Sequence, residues 1–221
     1  MKRSSLLAAV TLAFLMFAGT VRAQGSGMYL ENWKDILIGP MAEGGMAVNA
    51  GSIQTGTKTA PLTSFAAGAT MIYPWSENIG LNLTVGYDAR AINFHAATAD
   101  TGGVDYHYNY LMIRPEFRLA GFTIGLGIGL PMSTSATNLK SDLAPTSSDM
   151  NTLMEGRIGG EIVLSRTDAN QLHLLLGASY GFNPILKTTF TGKYGLDNTK
   201  NNGPLASAMI GLSYLFDVTP H

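Results

Sequence analysis

The chain has 221 residues and no cysteine. That excludes a disulfide framework, a thiolate nucleophile, a cysteine-based metal site and a lipid-anchored cysteine. Charge is also scarce. Charged residues make up 13%, against about 25% in typical soluble domains. Fourteen basic residues stand against fifteen acidic ones, so there is no basic excess to suggest nucleic acid as a partner. Beyond the first residues no apolar run approaches the roughly 20 residues of a spanning helix. Histidine is sparse, with four in the chain, and none is spaced as a zinc motif requires. No metal and no cofactor are therefore expected.

The start of the chain reads as an export signal. Lys2 and Arg3 precede an apolar run over residues 6–18, and Val21-Arg22-Ala23 offers small residues to a signal peptidase. Cleavage is expected after Ala23, which would remove Lys2, Arg3 and Arg22. Residues 1–23 are thus read as signal peptide, 24–35 as a short lead-in, and 36–221 as one domain.

Within that domain apolar residues recur with the period of a strand. Ile79, Leu81, Leu83, Val85, Tyr87 and Ala89 alternate with Gly80, Asn82, Thr84, Gly86, Asp88 and Arg90. Leu111, Ile113, Pro115 and Phe117 alternate with Met112, Arg114, Glu116 and Arg118. In residues 122–130 the second member is mostly glycine. Residues 154–164, 172–182 and 207–216 continue the pattern, and 36–51 and 65–75 follow it less regularly. Eight strands result, all long enough for the roughly 9–11 residues of a tilted spanning strand. A ten-stranded barrel would need the lead-in to pair.

The connections alternate in length. Residues 52–64, 95–105, 133–152 and 183–206 are long and polar, whereas 76–78, 120–121 and 165–171 are short. Long connections on one side and short turns on the other are the signature of an antiparallel, up-and-down transmembrane β-barrel. The expected fold class is therefore all-β, with an outer-membrane barrel of eight strands.

Charge then orients the strands. Asp88, Arg90, Arg114, Glu116, Arg118, Glu155, Arg157 and Glu161 all share one parity on the clear strands, and the other parity carries none. An Arg or Lys facing lipid at the bilayer midplane costs about 2–4 kcal/mol. The charged parity is thus expected inside, as a network of guanidiniums and carboxylates that plugs the lumen. The inward Gly125, Gly127 and Gly129 leave room for long side chains. The six lysines beyond residue 23 are expected outside the strands.

Several chemical motifs are weak here. Gly177-Ala178-Ser179-Tyr180-Gly181 matches G-x-S-x-G but lacks the helix that a nucleophile elbow needs. His95 and His107 flank one long connection and have Asp100 and Asp105 beside them, a conceivable metal site. No catalytic residue is expected.

The rhythm of strands and loops, the strand Tyr110-Leu111-Met112-Ile113-Arg114-Pro115-Glu116-Phe117 and the ending Gly211-Leu212-Ser213-Tyr214-Leu215-Phe216 resemble the small outer-membrane barrels of the OmpA/OmpX-like and PorT-like kind. The resemblance covers about residues 36–216. It implies insertion by the barrel-assembly machinery, although Asp217 and the residues after it extend past the aromatic end. It does not imply one activity. The expected role is non-enzymatic: a porin-like envelope barrel meeting outer-membrane lipid, lipopolysaccharide or protein partners through exposed, mobile loops. Two alternatives remain open: a soluble exported barrel that holds a small apolar ligand inside, and an outer-membrane lipid-modifying enzyme.

Overall fold

The computed structural model describes residues 36–76, 79–98, 103–137, 144–167, 169–193 and 202–219. The expected signal peptide and lead-in, Asp100 and His221 lie outside these residues.

Eight strands form a closed barrel in sequence order: β1 (Leu37–Asn49), β2 (Thr57–Ser76), β3 (Ile79–Ala96), β4 (Val104–Leu119), β5 (Phe122–Ala136), β6 (Leu153–Arg166), β7 (Asn170–Gly181) and β8 (Leu205–Asp217). Every neighbouring pair is antiparallel, and β8 closes onto β1 from Leu37↔Asp217 to Asn49↔Leu205. Closure pairs the backbone groups that an open sheet would leave at its edges. The tight turn between β4 and β5 places Ala120 at φ 47° and Gly121 at φ 86°. Two positive φ values in a two-residue loop match the right-handed twist of the flanking strands.

Some strands are longer than their hydropathy suggests. The connections expected at 52–64 and 95–105 shrink, because β2 begins at Thr57 and β3 runs to Ala96. Lys58, expected in a loop, lies in β2 opposite His95. Alternation fades there because both faces meet polar surroundings, yet backbone pairing continues. The pairing of β1 with β2 ends at Ala47↔Leu62, and that of β5 with β6 at Gly129↔Leu153. By contrast, β2 and β3 pair to Thr57↔Ala96, and β4 and β5 to Tyr106↔Ala136. Four strands thus rise above the rest as a high wall on one side. Each outer strand of that wall carries a proline, Pro61 or Pro131, which cannot donate to a further strand.

Burial separates the two parities of the clear strands. Arg90, Arg114 and Arg118 are at most 2% exposed, whereas Leu83 is 37% and Leu126 53% exposed. The soluble alternative required Leu83 and Leu126 inside, so this arrangement removes its ligand cavity.

Candidate functional site: the charged interior

Glycine makes the interior roomy enough for charge. A Cβ on Gly127 would lie 2.7 Å from the Glu155 side chain, one on Gly177 3.0 Å from Arg157, and one on Gly211 2.7 Å from Glu43. Each long side chain therefore lies over a glycine on a neighbouring strand.

The residues so placed form a closed ring of alternating sign. On β3, Arg90 donates two hydrogen bonds of 3.0 Å to Asp88 and reaches Glu155 at 2.7 Å. Asp88 also pairs with Arg114 of β4. Arg114 donates to Glu43 of β1 at 2.9 Å. Glu43 lies 3.6 Å from Arg157 of β6, which returns to Glu155 at 3.8 Å. Arg157 also donates to Glu116 at 3.2 Å. Nearer the short turns is a second group, in which Arg118 meets Glu161 at 3.0 Å and His173 lies 3.3 Å from the same carboxylate. Asn82 donates to Glu161 at 2.8 Å and accepts from Thr70 at 2.6 Å.

All eight charged residues singled out from the sequence stand in these two groups. Two members escaped that reading. Glu43 sits on the irregular first strand, where Met41 and Met46 lie on opposite faces. Its signal was being the only acid of a strand whose inward parity is Met41, Glu43, Gly45 and Ala47. His173, placed near a turn, is fully buried and alternates with Leu172 and Leu174. With Glu43, five carboxylates face four guanidiniums, and the His173 ring stands beside Glu161.

Between the groups lies a cavity of about 30 Å3, bordered by Glu43, Thr84, Arg114, Arg157 and Glu161 among others. That is room for about one or two waters. Apolar side chains bracket the charged stretch. Leu37, Ile72 and Leu215 cluster, buried, toward the short-turn end. At the other end Tyr108, Tyr110, Met112, Leu153 and Leu205 pack with Met150, Ile185, Leu186 and Phe190.

The last four belong to the connections expected to be mobile and exposed, and here the structure corrects the expectation. The chain after β7 turns inward over the barrel end as a strap, residues 183–190, followed by the helix α1 (Thr188–Lys193) that overlaps its end. It pairs with the chain before β6. Asn151 N donates to Ile185 O at 2.7 Å, and Lys187 N to Asp149 O at 2.7 Å. From the other side Asn202 grips the Leu186 backbone, accepting from its N–H at 2.9 Å and donating to its C=O at 2.8 Å. Three apolar side chains in a polar stretch were too few to stand out, but burying them outweighs the polar surroundings.

Elsewhere the weak motifs resolve into structure. Ser179 donates to Glu155 at 2.8 Å and lies 2.8 Å from Ser207, so G-x-S-x-G is inward strand packing. His107 stands opposite Ala91, and His95 bonds to Asn93 at 2.7 Å, so the two histidines do not meet across the hairpin. Among the described residues no cluster of three metal-ligating groups occurs.

No family model and no curated protein matches the chain. Solved structures are similar in outline. The outer membrane protein OprG from Pseudomonas aeruginosa is 11% identical with a TM-score of 0.37, covering 85% of this chain and 97% of that one. Neisserial surface protein A gives 11% and 0.38, covering 82% and 96%. The outer membrane protein AlkL, solved in lipid bilayers, gives 14% and 0.38, covering 89% and 96%. At such values the fold rests on the closed strand pairing itself.

Proposed function

We propose that the chain is an exported, non-enzymatic outer-membrane barrel with a closed lumen, acting at the envelope through the surface formed by its long connections. One observation carries this reading: the charges in the middle of the strands are gathered into a bracketed interior, Lys58, Asp105, Arg166 and Asp217 stand only near strand ends, and the outer face between them is uncharged and apolar. On β3 that outer face runs from Ile79 to Ala89. At about 3.3 Å per residue and a tilt near 40°, it spans about 25 Å, the height of an outer-membrane apolar band. Aromatic pairs flank it. Trp75 with Phe117 and Tyr214 with Phe216 lie toward the short turns, and Phe65 with Tyr87 toward the long connections. Such rings are placed where girdles sit at the two interfaces. A water-soluble monomer rarely leaves so large an apolar surface open.

Outer-membrane lipid and lipopolysaccharide are the surroundings this belt fits, with the barrel-assembly machinery as the route of insertion. A surface or envelope protein meeting the high wall is the partner in keeping with the loop arrangement. Ser179, held between Glu155 and Ser207, offers no free nucleophile, which favours a non-enzymatic role. The test is electrophoresis of the outer-membrane fraction with and without boiling, followed by planar-bilayer recording. The reading expects a heat-dependent shift and no steady conductance. A soluble periplasmic band without a shift overturns the membrane assignment, and steady conductance overturns the closed lumen.

A further inference from the structure

The strap over the barrel end differs from the wall around it. All eight wall strands close on each other without it, so its displacement breaks no strand-to-strand hydrogen bond and frees one wall N–H, that of Met154, which Asn183 accepts at 2.9 Å. Its attachments are an isolated bridge, Met150↔Leu186, backbone bonds to Asp149 and Asn151, and the side chains of Asn151, Asn183, Lys187 and Asn202. Its apolar anchors are Ile185, Leu186 and Phe190, set against the backbone entropy of ordering residues 183–190. Pro184 stands at one end of the segment, and Gly203-Pro204 precede β8.

Beneath it is a second observation. Tyr110 is fully buried in the apolar layer, opposite Asp88 of the ring, and its hydroxyl has no hydrogen-bond partner. A buried, unsatisfied hydroxyl disfavours the closed arrangement, and water admitted from above would satisfy it. Apolar burial holds the strap down, while chain entropy and an unsatisfied polar group work against closure.

We propose that residues 183–190 form a releasable seal: the strap lifts as a local unit, with the barrel intact, and admits water to the loop-end half of the lumen. Leu37, Ile72 and Leu215 keep the other end shut, so release creates a wet cup rather than a through-channel. Asn202 is the latch, because among the described residues it alone holds both backbone groups of Leu186 from the β8 side. This inference rests on the barrel reading above, but its test is separable from it.

The native absence of cysteine allows a clean reporter. Ala47 is 1% exposed and packs in the apolar layer under the strap, and Ser213 is 2% exposed near the short-turn end. Ala47→Cys and Ser213→Cys would each be reacted with a small water-soluble thiol reagent, in the full barrel folded in lipid. Adding Asn202→Ala is expected to raise the rate at position 47 about thirty-fold, since two hydrogen bonds of about 1 kcal/mol each are lost and about 1.4 kcal/mol is a factor of ten, and to leave position 213 unreactive. Where Asn202→Ala abolishes the heat-dependent gel shift, Asn151→Ala serves as the latch variant. Unchanged reactivity at 47 in a barrel that keeps its shift overturns the seal. Equal acceleration at 47 and 213 overturns it too, because the barrel as a whole has then loosened. Failure of the unmodified chain to show the shift refutes the membrane barrel instead.

Discussion

Glu155 occupies the space that a side chain on Gly127 would need: its Cγ and Oε1 both lie 2.7 Å from the ideal Cβ position. The carboxylate is committed to Arg90 at 2.7 Å and to Ser179 at 2.8 Å, so it cannot step aside cheaply. Gly127→Ala should therefore destabilise the barrel by about 1–3 kcal/mol, the cost of overpacking a filled interior. Urea unfolding in lipid measures this, and an unchanged midpoint would show that Glu155 is free to move.

Arg114 bridges Asp88 and Glu43, and all three are buried. Arg114→Ala removes the partner that the two carboxylates share, leaving Asp88 to Arg90 and Glu43 to Arg157 alone, and should cost about 3–5 kcal/mol. The two charged groups should also behave as separate units. A double-mutant cycle between Arg114 and Glu43 is expected to show coupling above about 1 kcal/mol, while Arg114 and Arg118 should add within about 0.5 kcal/mol. Additivity of Arg114 with Glu43 would mean that the ring is not a network.

Leu126 is 53% exposed in the middle of the apolar outer face. Leu126→Arg should lower stability in lipid by about 2–4 kcal/mol. The same change in a soluble barrel would be almost neutral at such an exposed site. Folding efficiency into vesicles, read by the gel shift, decides between them.

Ala120 adopts φ 47° in the turn between β4 and β5. An alanine Cβ costs about 1–2 kcal/mol in that region, and asparagine before glycine is the preferred pair in such a turn. Ala120→Asn should raise stability by about 0.5–1 kcal/mol. A lower unfolding midpoint would place the cost elsewhere.

Much of this arrangement was legible beforehand, for a physical reason. Where a strand crosses between an apolar exterior and a polar interior, side-chain chemistry must alternate, and Arg114, Glu116 and Arg118 display that alternation directly. Eight antiparallel strands, their order and their inward parity follow from it. Legibility stops where the environments stop differing. Residues 57–64, 95–96 and 104–105 are strand without contrast between their two faces, so they read as loop. Glu43 was hidden by methionines on both faces of β1. The strap was hidden more deeply, because nothing local marks Ile185, Leu186 and Phe190 as partners of Tyr108 and Leu205, residues far away in the chain.

The seam between the first and last strands has its own consequence. Ile36 donates to the Thr219 hydroxyl at 2.8 Å and accepts from Val218 N–H at 2.9 Å, and β1 pairs with β8 along nearly its whole length. The fold is cyclic in everything but its covalent bonds. A short linker from residue 219 back to residue 36, with a new opening cut in the connection between β1 and β2, should yield the same cylinder from a permuted chain. Such a permutant would then carry β1 as its final strand. Its success or failure in cells would separate what the finished cylinder requires from what depends on the aromatic ending of β8 being last in the chain.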